Sequence, residues 1–150
     1  MLKEKLSIIK IGGNIIEDDT SLNAFLKLFS NLEGKKILVH GGGKQATAIA
    51  SKLGIESKMV NGRRITDKDT LEVITMVYGG LVNKNMVAKL QALQIDAIGL
   101  TGADVNSIKS NKRQVTNIDY GFVGDVKEVA SNSIDRLIKA NFTPVFCAIT

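Results

Sequence analysis

The chain has 150 residues, of which 44% are hydrophobic, and this is enough apolar material for one buried core. The single cysteine, Cys147, excludes a disulfide framework, and no apolar stretch approaches the length of a membrane span. The net charge is +5, but the lysines are dispersed among acidic residues and only five Phe and two Tyr are present. The few aromatic residues argue against a surface that stacks bases, and anionic small molecules explain the positive charge as well as nucleic acid does, so we predict no nucleic-acid partner. The first residues lack the apolar core of a signal peptide, so we expect a cytoplasmic protein with no membrane partner.

The first half of the chain alternates between strand and helix patterns. Short apolar runs are typical of strands buried on both faces, and apolar residues at helical spacing follow each of them. Gly34 and Gly54 end the two helical patterns. In chain order, the predicted elements are a strand over 7–11, a helix over 22–32, a strand over 36–39 and a helix over 46–53.

The second half continues this alternation and adds short β-structure. Asn61-Gly62 is a strong hairpin signal, and Thr66-Asp67-Lys68-Asp69 resembles a capping box that opens a long helix. Turns are predicted at Ser110-Asn111 and Tyr120-Gly121. The predicted elements are a hairpin over 58–66, a helix from about 67 to 93, a strand over 96–100, β-pieces over about 105–128, a helix over 131–140 and an apolar strand over 143–150. The succession predicts an α/β sheet with helices on both faces.

Two glycine-rich breaks, each directly after an apolar strand, indicate an anion site. The first is Gly12-Gly13 and the second is Gly41-Gly42-Gly43. A strand that ends in consecutive glycines leaves backbone N–H groups uncovered, so an anion can approach without meeting a Cβ. Two such breaks after neighbouring strands would form one concave patch of amide donors for phosphate or carboxylate oxygens. Lys10 lies just before the first break, where its ammonium would add to the same field.

Lys10 is the residue for which a purely structural role is hardest to explain. Within a buried apolar strand an unpaired ammonium costs stability, so we predict a functional role for it. Other cofactor motifs are not supported by the sequence. Lys44 is followed by Gln45 rather than Ser or Thr, neither break has the spacing of a dinucleotide fingerprint, and one Cys with one His makes no zinc site. We therefore predict no metal site built from protein ligands.

Four other polar residues have simpler structural interpretations. His40 is expected to be a hydrogen-bonded residue at the end of a strand rather than a ligand, and Cys147 a small core residue. Asp104 and Asp125 are expected to be loop acids, with a magnesium role left open for either.

Arg63 and Arg64, beside the hairpin turn, are equally consistent with solvated surface charges and with a binding role.

Five motifs together resemble the acetylglutamate kinases of the amino-acid-kinase family. They are Ile-Ile-Lys-Ile-Gly-Gly at 8–13, Val-His-Gly-Gly-Gly at 39–43, Asn-Gly-Arg-Arg-Ile-Thr at 61–66, Gly-Gly-Leu-Val-Asn-Lys at 79–84 and Ile-Gly-Leu-Thr-Gly-Ala-Asp at 98–104. The resemblance extends in order over essentially all 150 residues. It implies an amino-acid-kinase-like αβα fold, with a mostly parallel sheet sandwiched by helices and a β-hairpin lid.

The resemblance also implies a reaction and a set of site residues. The γ-phosphoryl group of ATP would move to the side-chain carboxylate of N-acetyl-L-glutamate, or of a similar N-acylglutamate, in arginine biosynthesis. Lys10 would stabilise the transferring phosphoryl group, and Arg64 would bind the α-carboxylate of the substrate. Gly41 and Gly42 would contact the acyl-amino acid, and Mg²⁺ would be held mainly by the phosphates of ATP. The amides expected to face phosphate are those of Gly12, Gly13 and Gly43.

Members of this family are longer, with a second half that binds the adenine nucleotide. Residues 1–150 would then be the N-terminal acylglutamate-binding lobe, and the apolar strand at the end of the chain suggests the first part of a longer protein. The resemblance further implies a homodimer through the helix over 67–93. Gly79-Gly80 at its mid-length would permit close approach of a second backbone, although packing beneath the protein's own sheet explains these glycines almost as well.

Two other functions stay open at this point. Another amino-acid kinase, such as a glutamate or aspartate kinase, would share the two glycine breaks. The hairpin that carries Arg64 resembles an element that binds an acylated substrate, and this favours an N-acylglutamate kinase over a glutamate or aspartate kinase. A non-catalytic module that binds an acyl-amino acid is favoured if the chain is complete as given, because the nucleotide half is then missing.

Overall fold

The apolar runs form one parallel sheet in a computed structural model that describes residues 5–150. The first four residues, on which part of the signal-peptide argument rests, lie outside the described residues. In chain order, the elements are β1 (Leu6–Ile11), α1 (Gly13–Glu17), α2 (Asp19–Ser30), β2 (Lys35–His40), α3 (Gly43–Lys52), β3 (Met59–Val60), β4 (Arg63–Arg64), α4 (Lys68–Ile74), a π-helical segment (Thr75–Val82), α5 (Asn83–Ala92), β5 (Ala97–Leu100), a short 3₁₀ turn (Asp104–Asn106), β6 (Ile108–Lys112), β7 (Gly124–Val129), α6 (Ser131–Lys139) and β8 (Thr143–Cys147).

The sheet has four strands in the order β1-β2-β8-β5, and every pair is parallel. The last strand of the chain, β8, therefore lies inside the sheet, and all five of its residues are buried. Its unbroken apolar character is typical of a parallel strand that is covered on both faces. Two antiparallel hairpins, β3–β4 and β6–β7, complete the β-structure of residues 5–150.

Successive side chains of the inner strands point to opposite faces of the sheet. Leu38 and Val145 lie in the larger hydrophobic cluster, which α1 to α5 cover. Ile37 and Phe146 lie in a smaller cluster with Ile138 of α6. Helices on both faces confirm the predicted αβα fold. Among the helices of residues 5–150, none has both the length and the apolarity needed to cross a membrane.

The position of Lys10 differs from the prediction of a buried strand. Within residues 5–150, β1 is an edge strand that pairs only with β2, and the Lys10 side chain is exposed. Ile8, two residues earlier on the same face, is 66% exposed. The apolar run predicted the strand correctly, but strand order decides which strands are covered. Because Lys10 is exposed, the cost of a buried ammonium gives no reason to assign it a function.

Two local predictions were wrong in detail. Ser110-Asn111 was predicted to be a turn, but both residues lie inside β6 and pair with β7. The capping box would place Thr66 at the N-cap, whereas the N-cap of α4 is Asp67, whose carboxylate accepts a hydrogen bond from Thr70 N at 2.9 Å. Thr66 is used elsewhere: its backbone N–H donates to Tyr120 O, and its carbonyl accepts from Phe122 N. These two bonds join the β6–β7 hairpin to the β3–β4 hairpin.

The predicted long helix over 67–93 is continuous but not uniformly α-helical. Its central part, Thr75–Val82, has π-type hydrogen bonding and contains Gly79-Gly80. Such segments are rare and are frequently found at functional sites. Tyr78 lies in this π-helical segment, and its ring is 3.0 Å from the position that a Cβ of Gly42 in the second glycine break would occupy.

Candidate functional site

The two glycine breaks lie side by side at the carboxyl edge of the sheet. Ile11 at the end of β1 is in register with His40 at the end of β2, so the segments that follow both strands are neighbours. Lys44 connects them, because its Nζ lies 3.1 Å from Glu17 Oε2 and donates to Asn14 Oδ1 at 3.0 Å. The structure therefore brings together the two breaks that the sequence predicted to form one site.

The second break is the N-terminal entry to α3. Gly42 is the N-cap of this ten-residue helix, and no side chain caps it. The first amides of a helix have no partners within the helix, and the helix dipole gives this end a partial positive charge. An anion at the second break would therefore meet both amide donors and a favourable field.

The three glycines of the second break differ in what surrounds them. A Cβ at Gly42 would lie 3.0 Å from the Tyr78 ring, so any larger residue there would require the ring to shift by a few tenths of an ångström. A Cβ at Gly43 would lie 3.6 Å from the Tyr78 hydroxyl, which is ordinary contact. At Gly41 no described atom lies within 4 Å of that position. Packing therefore gives no reason for glycine at Gly41 or Gly43, and open space lies beside Gly41.

The Lys10 ammonium lies beside the first break, as predicted, although its strand is exposed. Its Nζ is 3.8 Å from the position that a Cβ of Gly12 would occupy. Lys10 and the first break therefore lie together at the end of β1, with the Glu17 carboxylate 3.3 Å from the Cβ position of Gly13.

Arg64 reaches the second break from the β3–β4 hairpin. Asn61 and Gly62 both have positive φ, of 50° and 74°, which gives the tight turn predicted from the sequence. The turn aims Arg64 Nη2 at Gly43 O, to which it donates at 2.8 Å, and it also donates to Thr47 Oγ1. Arg64 Nε is buried and has no acceptor among residues 5–150. Nη2 is thus anchored, whereas Nε is a buried donor without an acceptor among the described residues.

A cavity of about 710 Å³ lies between the sheet and the two hairpins. Its wall is largely apolar, with Phe122 and Phe146 among the lining residues. Arg63, Arg64, Arg113 and Tyr78 contribute polar groups, whereas Lys10 and the glycines of the two breaks do not line it. Cys147 also lines it, and burial raises the pKa of this thiol, so the cysteine is neutral at physiological pH. A largely apolar cavity with a few converging polar groups is the usual form of a small-molecule site.

The two acids with an open magnesium role are bound within the protein. Asp125 accepts from Arg113 Nε at 3.1 Å and from Nη2, and this hydrogen bonding lowers the pKa of Asp125. Asp104 Oδ2 accepts from the backbone N–H and the hydroxyl of Thr101. Asp104 lies in the short 3₁₀ turn, in line with the expected loop acid, whereas Asp125 lies in β7 and pairs with Asn111, so its placement in a loop was wrong. Residues 5–150 contain no group of three His, Cys, Asp or Glu side chains arranged to hold a metal ion.

His40 is buried beneath the second break and is fully hydrogen-bonded. Its Nδ1 lies 2.7 Å from Gly41 O, and its Nε2 lies 2.9 Å from Asn83 Nδ2. Burial lowers the pKa of His40, against the opposing effect of the Gly41 carbonyl, so the ring is neutral at pH 7. Sequence reasoning placed His40 correctly but missed Asn83. The available signal was one amide residue on the otherwise apolar face of a long helix.

We expect the free energy of unfolding to fall as the pH is lowered from about 7.5 to about 5.5. The unfolded chain takes up a proton at His40 near the ordinary pKa of 6.5, whereas the folded ring, with its lowered pKa, stays neutral. The stabilisation is complete above the unfolded pKa and is lost as the pH falls below it. Urea unfolding of the wild type and of His40→Asn at both pH values measures this effect. The fall should be smaller in the variant, and equal falls would contradict this explanation.

The fold and site define the class of protein. The chain belongs to the amino acid kinase family, whose profile matches residues 5–150. Among curated relatives, the acetylglutamate kinase of Phocaeicola vulgatus is 60% identical over 149 residues, covering 99% of this chain and 58% of that protein. The acetylglutamate kinase of Parabacteroides distasonis is 59% identical over 147 residues, covering 98% and 58%. The chain thus spans somewhat more than half the length of these relatives.

Solved structures support the same fold. A protein of Streptococcus mutans UA159 has a TM-score of 0.80 at 23% identity, over 95% of this chain and 58% of that one. The N-acetylglutamate synthase of Neisseria gonorrhoeae, crystallised with coenzyme A and N-acetyl-glutamate, has a TM-score of 0.75 at 19% identity, over 97% and 34%. At these identities the likeness establishes the architecture and not the reaction.

Proposed function

We propose that the chain is the acylglutamate-binding part of an ATP-dependent kinase. It would phosphorylate the side-chain carboxylate of N-acetyl-L-glutamate, or of a similar N-acylglutamate, in arginine biosynthesis. One observation carries the proposal: Arg64 is anchored to the second glycine break with its buried Nε lacking an acceptor among residues 5–150. A planar guanidinium held in this way suits a carboxylate, and the Lys10 ammonium lies at the adjacent break.

The proposed chemistry fits the groups that are present. A carboxylate is already ionised at pH 7, so the attacking group needs no general base. His40 could not serve as one, because both of its ring nitrogens are hydrogen-bonded inside the protein. Transfer between two anions needs charge neutralisation and alignment instead. Lys10 would stabilise the phosphoryl group, Arg64 would bind the α-carboxylate, and Gly41 and Gly42 would contact the acyl-amino acid.

ATP is the phosphoryl donor in this proposal. Gly12, Gly13 and Gly43 would present amides to its phosphates, and Mg²⁺ would be held mainly by those phosphates. The adenine nucleotide would be bound by a further part of the protein, as expected if residues 1–150 are an N-terminal lobe of a longer chain. A cytoplasmic location belongs to the same proposal, because ATP is available there.

An assay that traps the acyl phosphate tests this function. The full gene product is incubated with ATP, Mg²⁺, hydroxylamine and one of four acceptors: N-acetylglutamate, N-succinylglutamate, glutamate or aspartate. We expect ATP-dependent hydroxamate with an N-acylglutamate, and none from residues 1–150 alone. Hydroxamate only with free glutamate or aspartate would favour the other amino-acid kinases. Binding of an N-acylglutamate without any turnover would favour a non-catalytic module.

A homodimer through the 67–93 stretch is part of the same proposal. Gly80 is exposed, with no described atom within 4 Å of its Cβ position. Met76 and Leu81 beside it are 57% and 46% exposed. Gly79 instead faces Thr101 of its own chain, with 3.6 Å from the Cβ position to the methyl group. Gly80 is therefore the glycine that a second copy could approach closely.

We expect Gly80→Leu in the full gene product to weaken the dimer. The side chain would separate the two backbones and raise the dimer Kd at least about tenfold, which corresponds to about 1.4 kcal/mol. Sedimentation equilibrium measures this change. Ala24→Leu, on the exposed side of α2, is the matched control and should leave the dimer intact. An unchanged dimer in Gly80→Leu would remove this surface from the assembly.

A further inference from the structure

A buried network joins the second glycine break to the interior of the sheet. Asn83, which is 1% exposed at the start of α5, divides its amide between two acceptors. Its Nδ2 donates to Val145 O of β8 at 2.9 Å and is paired with His40 Nε2 at 2.9 Å. Its Oδ1 accepts from Lys84 Nζ at 3.1 Å. The network thus contacts the second glycine break through His40 and strand β8 through Asn83.

These contacts determine which nitrogen of His40 carries the proton. Asn83 Nδ2 can only donate, so His40 Nε2 must accept and carries no hydrogen. In a neutral ring the proton is then on Nδ1, which donates to Gly41 O at 2.7 Å. The alternative tautomer would place two donors opposite each other at Nε2 and two acceptors opposite each other at Nδ1.

The bond to Gly41 O also determines the direction of the next amide. The peptide between Gly41 and Gly42 is trans, so its carbonyl and its N–H point in opposite directions. With the carbonyl held by the His40 ring, the Gly42 N–H points away from that ring. Among residues 5–150 no acceptor is recorded for this N–H. Glycine at both positions would otherwise leave this peptide free to rotate.

We propose that His40, oriented by Asn83, is a positioning residue that holds the Gly42 N–H toward the acylglutamate. This inference rests on the proposed function for its ligand, but the tautomer and the peptide orientation do not depend on it. A donor fixed in advance costs no reorganisation when the substrate binds, which is the condition under which a single amide contributes strongly.

The surroundings of Asn83 indicate that the network is built into the fold. A Cβ at Gly99 would collide with Asn83 Oδ1 and lie 2.7 Å from Lys84 Nζ. Lys84 Nζ also donates to Gly99 O at 3.1 Å. Glycine in β5 therefore makes room for the amide that orients His40. An apolar residue at position 83 would fill the same space without leaving a donor for the ring.

Two substitutions of His40 separate its positioning role from its packing role. The amide nitrogen of His40→Asn stands where Nδ1 stood and can still donate to Gly41 O. The amide of His40→Gln stands where Nε2 stood and leaves Gly41 O without its donor. In the full gene product, we expect the KM for the acylglutamate to be at least about tenfold higher in H40Q than in H40N. This effect is smaller than that of deleting a preorganised donor, because the Gly42 N–H is still present in H40Q but is no longer held in place. The KM for ATP should be the same in both.

Both variants are compared under conditions where urea unfolding shows them to be folded. Equal acylglutamate KM values in H40N and H40Q, or a change in the KM for ATP of the same size, would overturn the proposal. A wild-type protein that phosphorylates none of the acceptors would instead reject the proposed function.

A second measurement does not depend on activity or on a variant. In the ¹³C,¹⁵N-labelled wild-type gene product, the side-chain nitrogens of His40 should show the tautomer protonated at Nδ1, with a hydrogen-bond coupling from Nδ1 to the Gly41 carbonyl carbon. The signals are assigned by sequential triple-resonance experiments on the same labelled protein. A ring protonated at Nε2, or at both nitrogens at neutral pH, would overturn the proposal even if the two variants do not fold.

Discussion

Lys10→Met should lower kcat of the full gene product by roughly two to three orders of magnitude, as expected for the loss of one preorganised group that stabilises developing charge. The ammonium beside the first glycine break would neutralise charge shared by the leaving phosphate, the transferring group and the attacking carboxylate. That charge distribution is most unfavourable in the transition state, so kcat should fall more than the affinity for either substrate. The hydroxamate assay at saturating ATP and acylglutamate measures the effect.

Because Lys10 is exposed, an effect of Lys10→Met on kcat can be measured without a change in the stability of the fold. Replacing an exposed side chain on an edge strand should leave the free energy of unfolding nearly unchanged. Lys10→Arg should restore kcat only in part, because a planar guanidinium does not place its charge at the same point. Lys5→Met, just before the opposite end of β1, is the matched control and should have normal kcat. A folded Lys10→Met enzyme with near-normal kcat would remove Lys10 from the mechanism.

Arg64→Ala should raise the KM for the acylglutamate by about ten- to a hundredfold, because a lost charge-assisted bond costs about 1.5–3 kcal/mol. Arg64 would bind a carboxylate that does not react, so kcat at saturation should fall much less. Steady-state kinetics with varied acylglutamate at saturating ATP separates these two constants. Arg64→Lys should recover little of the affinity, because an ammonium cannot both hold Gly43 O and present a second donor in the same plane.

Arg63→Ala is the matched comparison for Arg64→Ala. Arg63 is the preceding residue of the same strand, its side chain is exposed, and the described hydrogen bonds do not connect it to the second glycine break. We expect Arg63→Ala to change the acylglutamate KM by less than about threefold, in the range of an exposed charge. If Arg64→Ala leaves this KM unchanged while Arg63→Ala raises it, Arg63 is the residue that binds the carboxylate.

The sheet could be predicted from the sequence because its signals are local. Strands that are buried on both faces need continuous apolar runs, and β2 and β8 have them. The hairpin needs two residues with positive φ, and Asn61-Gly62 is the dipeptide that adopts them most readily. The two glycine breaks were placed together for the same kind of reason, since parallel neighbouring strands end at one edge of the sheet. These signals do not depend on where the rest of the chain lies.

The features that could not be predicted depend on contacts between distant segments. Whether Lys10 is buried depends on the place of β1 in the sheet, and the β1 sequence does not contain that information. Asn83 contacts His40 across 43 positions and Val145 across 62, and helical spacing alone marks it only as one polar residue on an apolar face. Ser110-Asn111 has turn-forming residues but is extended because pairing with β7 outweighs its local preference.

Transfer of the phosphoryl group to a carboxylate is the central claim, and oxygen labelling tests it directly. The full gene product receives ATP and N-acetylglutamate with ¹⁸O in its side-chain carboxylate, and hydroxylamine is added to cleave the product. Hydroxylamine attacks the acyl carbon, so the carbon–oxygen bond breaks and the bridging oxygen leaves with phosphate. We expect mass spectrometry to find one ¹⁸O in each phosphate that is released. Released phosphate with no ¹⁸O would mean that water or another group had attacked ATP, and would contradict the account.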